Sequence, residues 1–287
     1  MRLSIELESG NFRCSIKPEL GGCIAGLWFG DIPVLRSTPA SLLTSVRQAG
    51  SYPLVPYSNR LAHAKLKWAG TSHPLVQNNS GEPHAIHGVG WQRPWQVLEQ
   101  ESNFALLSYE HKADPSWPFA FDCSQAFRLT PQGLELSLSI TNQGNVAAPA
   151  GLGWHPFFVK RDASHIAFDA TGRWEMGTDK LPTHLEAHHG LQQACADLVV
   201  DHCFEGWRGV VALHDTALQI EISSSLKHLV VYTDPSKDFV AIEPVSHVNN
   251  ALTLFDQQLA TAEVLGLRTL QPGESMSADM SIKVNRV

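Results

Sequence analysis

The sequence predicts an all-β fold, a sandwich of large antiparallel sheets with few and short helices. Several segments alternate between apolar and polar residues, the period that places one face of a strand in a core and the other in solvent. This alternation covers residues 3–7, 134–140, 218–222 and 280–284. The chain also contains 21 glycines and 17 prolines, which supply turns between many short strands.

The remaining segments fit the same fold class. Residues 105–109 and 228–232 are short apolar runs and are expected to form more central strands. Helical periodicity is weak, and its best candidates, residues 183–195 and 251–264, are polar or interrupted, so at most short helices are expected there. Because helices do not alternate with strands, the pattern favours two packed antiparallel sheets over a parallel α/β sheet.

Size, composition and charge narrow the function classes. The 287 residues are 43% hydrophobic and contain no repeat, low-complexity tract or linker, so we expect residues 1–287 to form a single domain. A net charge of -7 without a basic stripe argues against a nucleic-acid partner and favours a neutral or weakly charged small molecule. Either a monomer or a homodimer is compatible with the sequence.

Cysteine usage and the N-terminal residues indicate the compartment. The five cysteines form no C-x-x-C pair, which suits a reducing cytoplasm. Glu6 and Glu8 lie where a signal peptide would carry its apolar core, and no run of eighteen apolar residues occurs. We therefore expect a soluble cytoplasmic protein without membrane association.

The segment Gly-Trp-His-Pro-Phe-Phe at residues 153–158 holds His155 in an aromatic frame. Histidine has an unperturbed pKa of about 6.5, so it can donate or accept a proton near neutrality. A single histidine does not make an active site, and its partners must come from elsewhere in the chain.

Two carboxylates follow apolar runs and are candidate partners. Glu243 precedes Pro244, which favours an extended backbone and a carboxylate at a strand end. Partial burial would raise its pKa from about 4.3 towards the range of a general base, whereas a strand-end salt bridge is the structural alternative. Asp201 could accept hydrogen bonds from two hydroxyls of a polyol, or it could cap a turn.

Arg60 and His87 lie in two further polar segments. Arg60, which follows Asn59, offers a planar fork of donors for a hydroxyl or carboxylate, or it closes a surface turn. His84 and His87 are three residues apart, but nearby glycines and Pro83 disfavour the helix that would bring both onto a metal. No metal site is expected, and His87 is left either as a donor to a ligand or as a histidine bonded to a backbone carbonyl.

The residues bear on two other interpretations, a serine hydrolase and a sugar-binding pocket lined by tryptophans. A serine hydrolase of the G-x-S-x-G type is disfavoured because that motif is missing. The tryptophans near the polar segments, Trp91, Trp95, Trp154 and Trp207, fit a sugar-binding pocket or a core equally well.

Taken in order, these segments resemble the aldose 1-epimerase family of the galactose-mutarotase-like superfamily. The matching segments are residues 59–60, 87–88, 155–158, 201–204 and 243–244. Each is weak alone, but five in the same order are specific. The resemblance implies a β-supersandwich and the cofactor-free interconversion of the α and β anomers of an aldose.

The resemblance also implies roles for the matching residues. The glutamate matching Glu243 takes the proton of the anomeric hydroxyl, and the histidine matching His155 protonates the ring oxygen, which opens the ring. The residues implied to bind the sugar or support its pocket are Asn59, Arg60, His87 and Asp201.

The substrate is left open by departures from the family pattern. Val230 stands where a sugar-binding glutamine is common, so neither galactose nor glucose is implied. One rival function is a hexose-6-phosphate 1-epimerase, to whose phosphate site Arg93, Arg208 or Lys237 could contribute. The other is a non-catalytic sugar-binding protein that keeps the cleft without turnover.

Overall fold

The computed structural model describes residues 4–287. In the first hundred residues the strands are β1 (Ile5–Ser9), β2 (Phe12–Lys17), β3 (Cys23–Phe29), β4 (Ile32–Pro33), β5 (Pro53–Leu54), β6 (Arg60–Leu61), β7 (Lys65–Trp68), β8 (Thr71–Pro74), β9 (Ala85–Ile86) and β10 (Gln96–Gln100). The following strands are β11 (Phe104–His111), β12 (Phe121–Thr130), β13 (Gly133–Asn142), β14 (Ala148–Ala150), β15 (Gly153–Trp154), β16 (Phe157–Val159), β17 (His165–Phe168), β18 (Gly172–Met176), β19 (Pro182–Ala187) and β20 (Leu191–Ala194). The last are β21 (Val200–Glu205), β22 (Val210–His214), β23 (Leu218–Ser224), β24 (His228–Thr233), β25 (Phe239–Val245), β26 (Arg268–Leu270) and β27 (Ser275–Arg286).

Two large sheets form the body of the described chain. The nine-stranded sheet has the order β10-β11-β12-β13-β27-β23-β22-β17-β20. The eight-stranded sheet has the order β19-β18-β21-β24-β25-β15-β5, with β16 also paired to β25. Their strand pairings are antiparallel. The predicted all-β sandwich is therefore confirmed, and each predicted strand is found, although Leu3 lies outside the described residues.

The helix predictions are half right. Residues 251–264 contain two short helices, α1 (Ala251–Asp256) and α2 (Ala262–Leu265). The prediction of a short helix in residues 183–195 is wrong, because these residues contribute to β19 and β20. Each of these strands is at the edge of its sheet and is mostly exposed, so it lacks the apolar alternation that identifies a strand in a sequence.

Strand β25 places both of its faces in packed surroundings. Val240 and Ile242 belong to the main hydrophobic core, which also contains residues of the nine-stranded sheet. Phe239 and Ala241 belong to a second hydrophobic cluster on the opposite face. Because side chains alternate along a strand, Glu243 projects from the same face as Phe239 and Ala241.

Two further observations bear on the sequence predictions. All five cysteines are free and buried. Within residues 4–287, no helix has the length and apolar character needed to cross a membrane.

Candidate active site

A cleft of about 510 Å³ opens on the face of the eight-stranded sheet that carries Glu243. It brings together the six predicted site residues, Asn59, Arg60, His87, His155, Asp201 and Glu243. Grooves of about 580 and 790 Å³ lie elsewhere on the surface, but their ionisable side chains are exposed. The smaller cleft is the stronger candidate because it combines buried ionisable groups with an opening to solvent.

Three adjacent strands, β21, β24 and β25, supply one wall of the cleft. Asp201 on β21 lies opposite Tyr232 on β24, and Val230 on β24 lies opposite Glu243 on β25. Val230 is buried and apolar, so it offers no polar group beside Glu243.

His155 lies in the short connection between β15 and β16. Its backbone N–H donates to the carbonyl of Tyr52 at 3.0 Å. Its ring stacks on Phe157, with 4.3 Å between ring centroids, and contacts the ring of Tyr52 at 4.9 Å. Trp154 instead points into the core, where its Nε1 donates to Gln125. Tyr52, which the sequence did not single out, therefore replaces Trp154 in the predicted aromatic frame.

His155 and Glu243 are in direct contact. The distance from His155 Nε2 to Glu243 Oε1 is 3.2 Å, and the side chains are 10% and 2% exposed. The second carboxyl oxygen of Glu243, Oε2, has no hydrogen-bond partner among the described residues. A buried acceptor without a partner is costly, so this oxygen is available for a ligand hydroxyl.

Burial perturbs both members of this pair. It raises the pKa of Glu243 well above the ordinary value, and the charge of Asp201 adds to the increase while Arg60 opposes it. Burial also lowers the pKa of His155 to about 3, and the charge of Arg36 contributes to the decrease. Both shifts favour the uncharged forms. Over a broad pH range the pair therefore holds one proton, preferentially on the carboxyl group.

Asn59 and His87 form a reciprocal pair at the opposite wall. Both have left-handed backbone conformations, with φ of 53° and 62°. The N–H of Asn59 donates to His87 Nδ1 at 3.2 Å, and the N–H of His87 donates to the carbonyl of Asn59 at 2.9 Å. Burial lowers the pKa of His87 well below its usual value, so the ring is neutral and carries its proton on Nε2. His87 is thus prepared to donate a hydrogen bond within the cleft.

The backbone around His87 is held by residues that sequence reasoning missed. Asn78 Nδ2 donates to the carbonyls of Ile86 and Gly88 at 2.8 and 3.0 Å, and Asn78 Oδ1 accepts the N–H of Ile86 at 2.8 Å. Gly88 has φ +69°, and a Cβ there would lie 2.2 Å from the carbonyl oxygen of Val55. The strained conformation of His87 is therefore fixed on both sides.

Arg60 is fixed by an acid from another loop. Its Nε lies 2.9 Å from Glu82 Oε2 and its Nη2 lies 3.2 Å from Glu82 Oε1, while Lys180 Nζ contacts Oε1 at 2.6 Å. The hydrogen bond from Arg60, supported by Lys180, lowers the pKa of Glu82 to about 2. Arg60 therefore belongs to the cleft and not to a surface turn. Glu82 gave no sequence signal because its partners are distant in the chain.

Comparison with known proteins identifies the family of this chain. A sequence model of the family described as aldose 1-epimerase matches residues 4–283. The chain belongs to the aldose 1-epimerase family. The uncharacterized Escherichia coli K12 protein YphB is 30% identical over 297 residues, which cover 97% of each sequence. A sugar epimerase family implies an enzyme of the isomerase class.

Solved structures confirm the expected fold of the family. A crystal structure of an Escherichia coli K12 protein has a TM-score of 0.88 and 28% identity, and the match covers 99% of each chain. A galactose mutarotase-like protein from Clostridium acetobutylicum has a TM-score of 0.84 and 19% identity, covering 98% of this chain and 95% of that one. The predicted galactose-mutarotase-like β-supersandwich is therefore confirmed.

The two histidines of the segment His84–His87 point in different directions in this family member. His84 Nδ1 accepts the N–H of His63 at 3.1 Å, and its Nε2 lies 3.1 Å from the carbonyl oxygen of Asp179. His87 faces the cleft. Among the residues that the structure describes, no group of three or more His, Cys, Asp or Glu side chains is arranged for a metal ion.

Of the three cations considered for a phosphate site, one lines the cleft. Lys237 is part of its lining. Arg93 does not line it and lies 3.4 Å from Asp114, and Arg208 is exposed on another part of the surface. The expectation that Arg93 or Arg208 could bind a sugar phosphate is therefore wrong.

Proposed function

We propose that the cleft interconverts the α and β anomers of a monosaccharide, with Glu243 as general base and His155 as general acid. The observation that carries this proposal is the buried contact of 3.2 Å between His155 Nε2 and Glu243 Oε1. The anomeric hydroxyl and the ring oxygen of an aldose are attached to the same carbon. A base and an acid that serve these two oxygens must therefore both lie within hydrogen-bond reach of one small region of the cleft.

Ring opening needs two proton transfers. The Glu243 carboxylate takes the proton of the anomeric hydroxyl, the C1–O bond to the ring oxygen breaks as the carbonyl forms, and the imidazolium of His155 protonates the departing ring oxygen. After rotation about the C1–C2 bond, the freed hydroxyl attacks the other face of the carbonyl. The same two transfers then run in reverse, so protons and electrons balance over the cycle.

The proton inventory of the pair fits this cycle. Ring opening converts a carboxylate and an imidazolium into a carboxyl group and a neutral imidazole, and burial favours these uncharged forms. The cyclic sugar favours the charged forms, because its hydroxyl donates to the carboxylate and its ring oxygen accepts from the imidazolium. A single proton on the pair therefore serves both halves of the reaction.

The other cleft residues are proposed to hold the sugar. Asp201 would accept hydrogen bonds from ring hydroxyls, while Arg60 and His87 Nε2 would donate to sugar oxygens near the anomeric centre. Asn59 would support His87 through their reciprocal hydrogen bonds. Because the reaction moves only protons between side chains and sugar, we propose that it needs no cofactor.

The test is anomer exchange measured by NMR on several aldoses, with and without the protein. We expect Glu243→Gln and His155→Asn each to reduce the acceleration by about 10²–10⁴, the usual contribution of a positioned proton-transfer group. Glu205→Gln is the matched control, because Glu205 is a partly buried carboxyl outside the cleft. Full activity in both cleft variants would contradict the assigned roles.

The same experiment separates the non-catalytic alternative. A sugar-binding protein without turnover would bind an aldose in calorimetry and leave its anomer exchange at the spontaneous rate. Binding without acceleration by the unmodified protein would therefore replace the proposed epimerase with a binding function.

A further inference from the structure

The cleft has an excess of positive charge in a chain whose net charge is -7. Three carboxyl groups line it, those of Glu82, Asp201 and Glu243, and burial favours the uncharged form of Glu243. The cationic side chains of the lining are Arg36, Arg47, Arg60, Lys180 and Lys237. A concave site with a local excess of one sign attracts ligands of the opposite sign, whatever the net charge of the protein.

Two of these cations are held in place by uncharged partners. Arg36 Nη2 donates to the backbone carbonyls of Ala49 and Arg47 at 2.7 and 2.6 Å, and its guanidinium lies 3.9 Å from the ring centroid of Phe157. Arg47 Nη2 donates to Asn79 Oδ1 at 2.6 Å. Within residues 4–287, no carboxylate lies within 4 Å of either guanidinium.

The remaining cations of the cleft already have acidic partners. Arg60 and Lys180 share Glu82, and Lys237 lies 3.8 Å from Asp234. The cationic groups of the cleft that form no ion pair are therefore Arg36 and Arg47, and the only carboxylate charge that acts on Arg36 among the described residues is the more distant Asp238. Fixed arginines without an acid partner are the usual arrangement for binding phosphate, sulfate or carboxylate.

The order of groups along the cleft indicates where such an anion would sit on a sugar. Asp201 lies on β21, two strands from Glu243 on β25, and Glu243 contacts His155 at 3.2 Å. The ring of His155 stacks on Phe157, the ring of Phe157 packs against the guanidinium of Arg36 at 3.9 Å, and Arg36 donates to the carbonyl of Arg47. The cleft therefore runs from Asp201 through Glu243 and His155 to the two arginines. A pyranose presents the hydroxyl of C2, the anomeric hydroxyl, the ring oxygen and the exocyclic carbon of C5 in that same order. This step rests on the roles of Glu243 and His155 in the proposed function.

We propose that the substrate is an aldose that carries an anionic group at C6, the exocyclic position attached to C5, and that Arg36 and Arg47 bind this group. Phosphate, sulfate and carboxylate share the required chemistry, a planar or tetrahedral anion that accepts hydrogen bonds from guanidinium groups.

The proposed anion would also assist the acid. Besides burial, the charges of Arg36 and Arg47 lower the pKa of His155. An anion beside these arginines offsets their charge, so the imidazolium that must protonate the ring oxygen forms more readily. The group would therefore increase both binding and turnover.

The test compares neutral and anionic sugars of the same ring configuration by NMR anomer exchange. The gluco series is glucose, glucose 6-phosphate and glucuronate, and the galacto series is galactose, galactose 6-phosphate and galacturonate. For at least one anion we expect kcat/KM to exceed that of the neutral parent by about 10- to 100-fold, the value of one or two charged hydrogen bonds. Comparing kcat/KM for the 6-phosphates with kcat/KM for the uronates identifies which anion the site prefers.

Arg47→Gln is the variant of choice, because Arg47 is exposed and the one hydrogen bond of its side chain within residues 4–287 is to the side-chain amide of Asn79. Arg36 instead donates to backbone carbonyls, so its replacement would disturb the local fold. We expect Arg47→Gln to reduce the ratio of anionic to neutral kcat/KM by at least about 10-fold. Arg208→Gln, the same change outside the cleft, should leave this ratio unaltered. Equal kcat/KM for neutral and anionic sugars would overturn the anion proposal while the epimerase function stands.

Calorimetry with 1,5-anhydro sugars keeps the inference testable if no sugar is accelerated. These compounds lack an anomeric hydroxyl, so they report binding without chemistry. Tighter binding of 1,5-anhydroglucitol 6-phosphate, or its galacto counterpart, than of the unphosphorylated compound would support the anion site, provided that Arg47→Gln removes the difference. Equal binding of both compounds would overturn it. Failure of turnover with retained anion binding would count against the proposed function alone.

Discussion

At the scale of the residue, the pair formed by His155 and Glu243 contains the chemistry of the cleft. With ordinary pKa values of about 6.5 and 4.3, the histidine would be mostly neutral and the glutamate ionised near pH 7, whereas burial favours the uncharged form of both side chains. The pair is 3.2 Å apart and nearly sealed from solvent, so its two titrations are coupled and belong to the pair as a unit. Its consequences are measurable as pH dependence.

The pH profile of kcat/KM should be broad. The one-proton pair is lost as pH falls towards the His155 pKa of about 3 and as pH rises through the Glu243 pKa, which burial raises. We therefore expect anomer exchange, corrected for the buffer-catalysed rate, to remain accelerated below about pH 4.3 and to decline only as pH approaches about 3. Groups with ordinary pKa values of about 4.3 and 6.5 would confine activity to the interval between them, and such a profile would contradict the pair.

Glu243 should also reduce stability at higher pH. Its folded pKa is raised, so the stabilisation by its proton is complete below the unfolded pKa of about 4.3 and is lost as pH rises through the folded value. Glu243→Gln cannot ionise. We expect its free energy of unfolding to exceed that of the unmodified protein by about 1 kcal/mol or more at pH 8, and by less at pH 5.

Urea denaturation at the two pH values measures this difference. Glu135→Gln, on an exposed strand position, reports the general effect of removing a negative charge. If Glu243→Gln were no more stable than the unmodified protein at pH 8, burial would not be the cause of the raised pKa.

At the scale of the element, adjacent strands and a distant loop share the positioning of the site. Strands β21 and β25 carry Asp201 and Glu243 through simple alternation. His87 depends instead on a loop in which Asn78 binds the backbone on both sides and Gly88 passes close to Val55. The loop is therefore the part of the site most sensitive to a small backbone change.

A pair of glycine substitutions tests this sensitivity. Gly88 and Gly81 both have positive φ, +69° and +87°, but a Cβ at Gly88 would meet the Val55 carbonyl at 2.2 Å, whereas nothing lies within 4 Å of a Cβ at Gly81. We expect Gly81→Ala to lower the free energy of unfolding by about 1 kcal/mol, the cost of a positive φ in alanine. We expect Gly88→Ala to lower it by several kcal/mol and to reduce anomer exchange. Thermal unfolding and NMR exchange provide the measurements, and equal costs would contradict the close contact.

At the scale of the whole molecule, the site depends on a core that contains none of its residues. Strand β27, near the C-terminus, pairs with β13 on one side and β23 on the other, so it lies inside the nine-stranded sheet. Its alternate residues, including Ile282, are buried in the core between the sheets. The end of the chain is therefore a central structural element.

Ile282→Ala should destabilise the protein without changing its chemistry. Ile282 is fully buried, so we expect a loss of about 2–5 kcal/mol in urea denaturation, and an unchanged kcat/KM where the variant is folded. Lys283→Ala is the control, because Lys283 is exposed and its pair with Glu221 at the surface contributes at most about 1 kcal/mol. Similar losses for the two variants would contradict the central position of β27.

The charge of the cleft lining differs in sign from the net charge of the whole molecule. The net charge of -7 favoured a neutral or weakly charged ligand, but the cleft itself has more cationic than acidic side chains. Net charge sums over the entire surface, whereas a ligand responds to the field of the groups that line its site. Sequence composition therefore does not predict the local charge of the cleft.

The sequence by itself determined the all-β class, the central strands and the short helices near residues 251–264, because apolar periodicity is a local property of the chain. It also identified the six residues that line the cleft, through short motifs whose order matched a family. Edge strands β19 and β20 escaped prediction because they have no buried face. Only the tertiary structure decided the contact between His155 and Glu243, the direction of their pKa shifts and the participation of Tyr52, Asn78 and Glu82. Burial, desolvation and contacts between distant loops depend on the folded chain as a whole, so no local pattern encodes them.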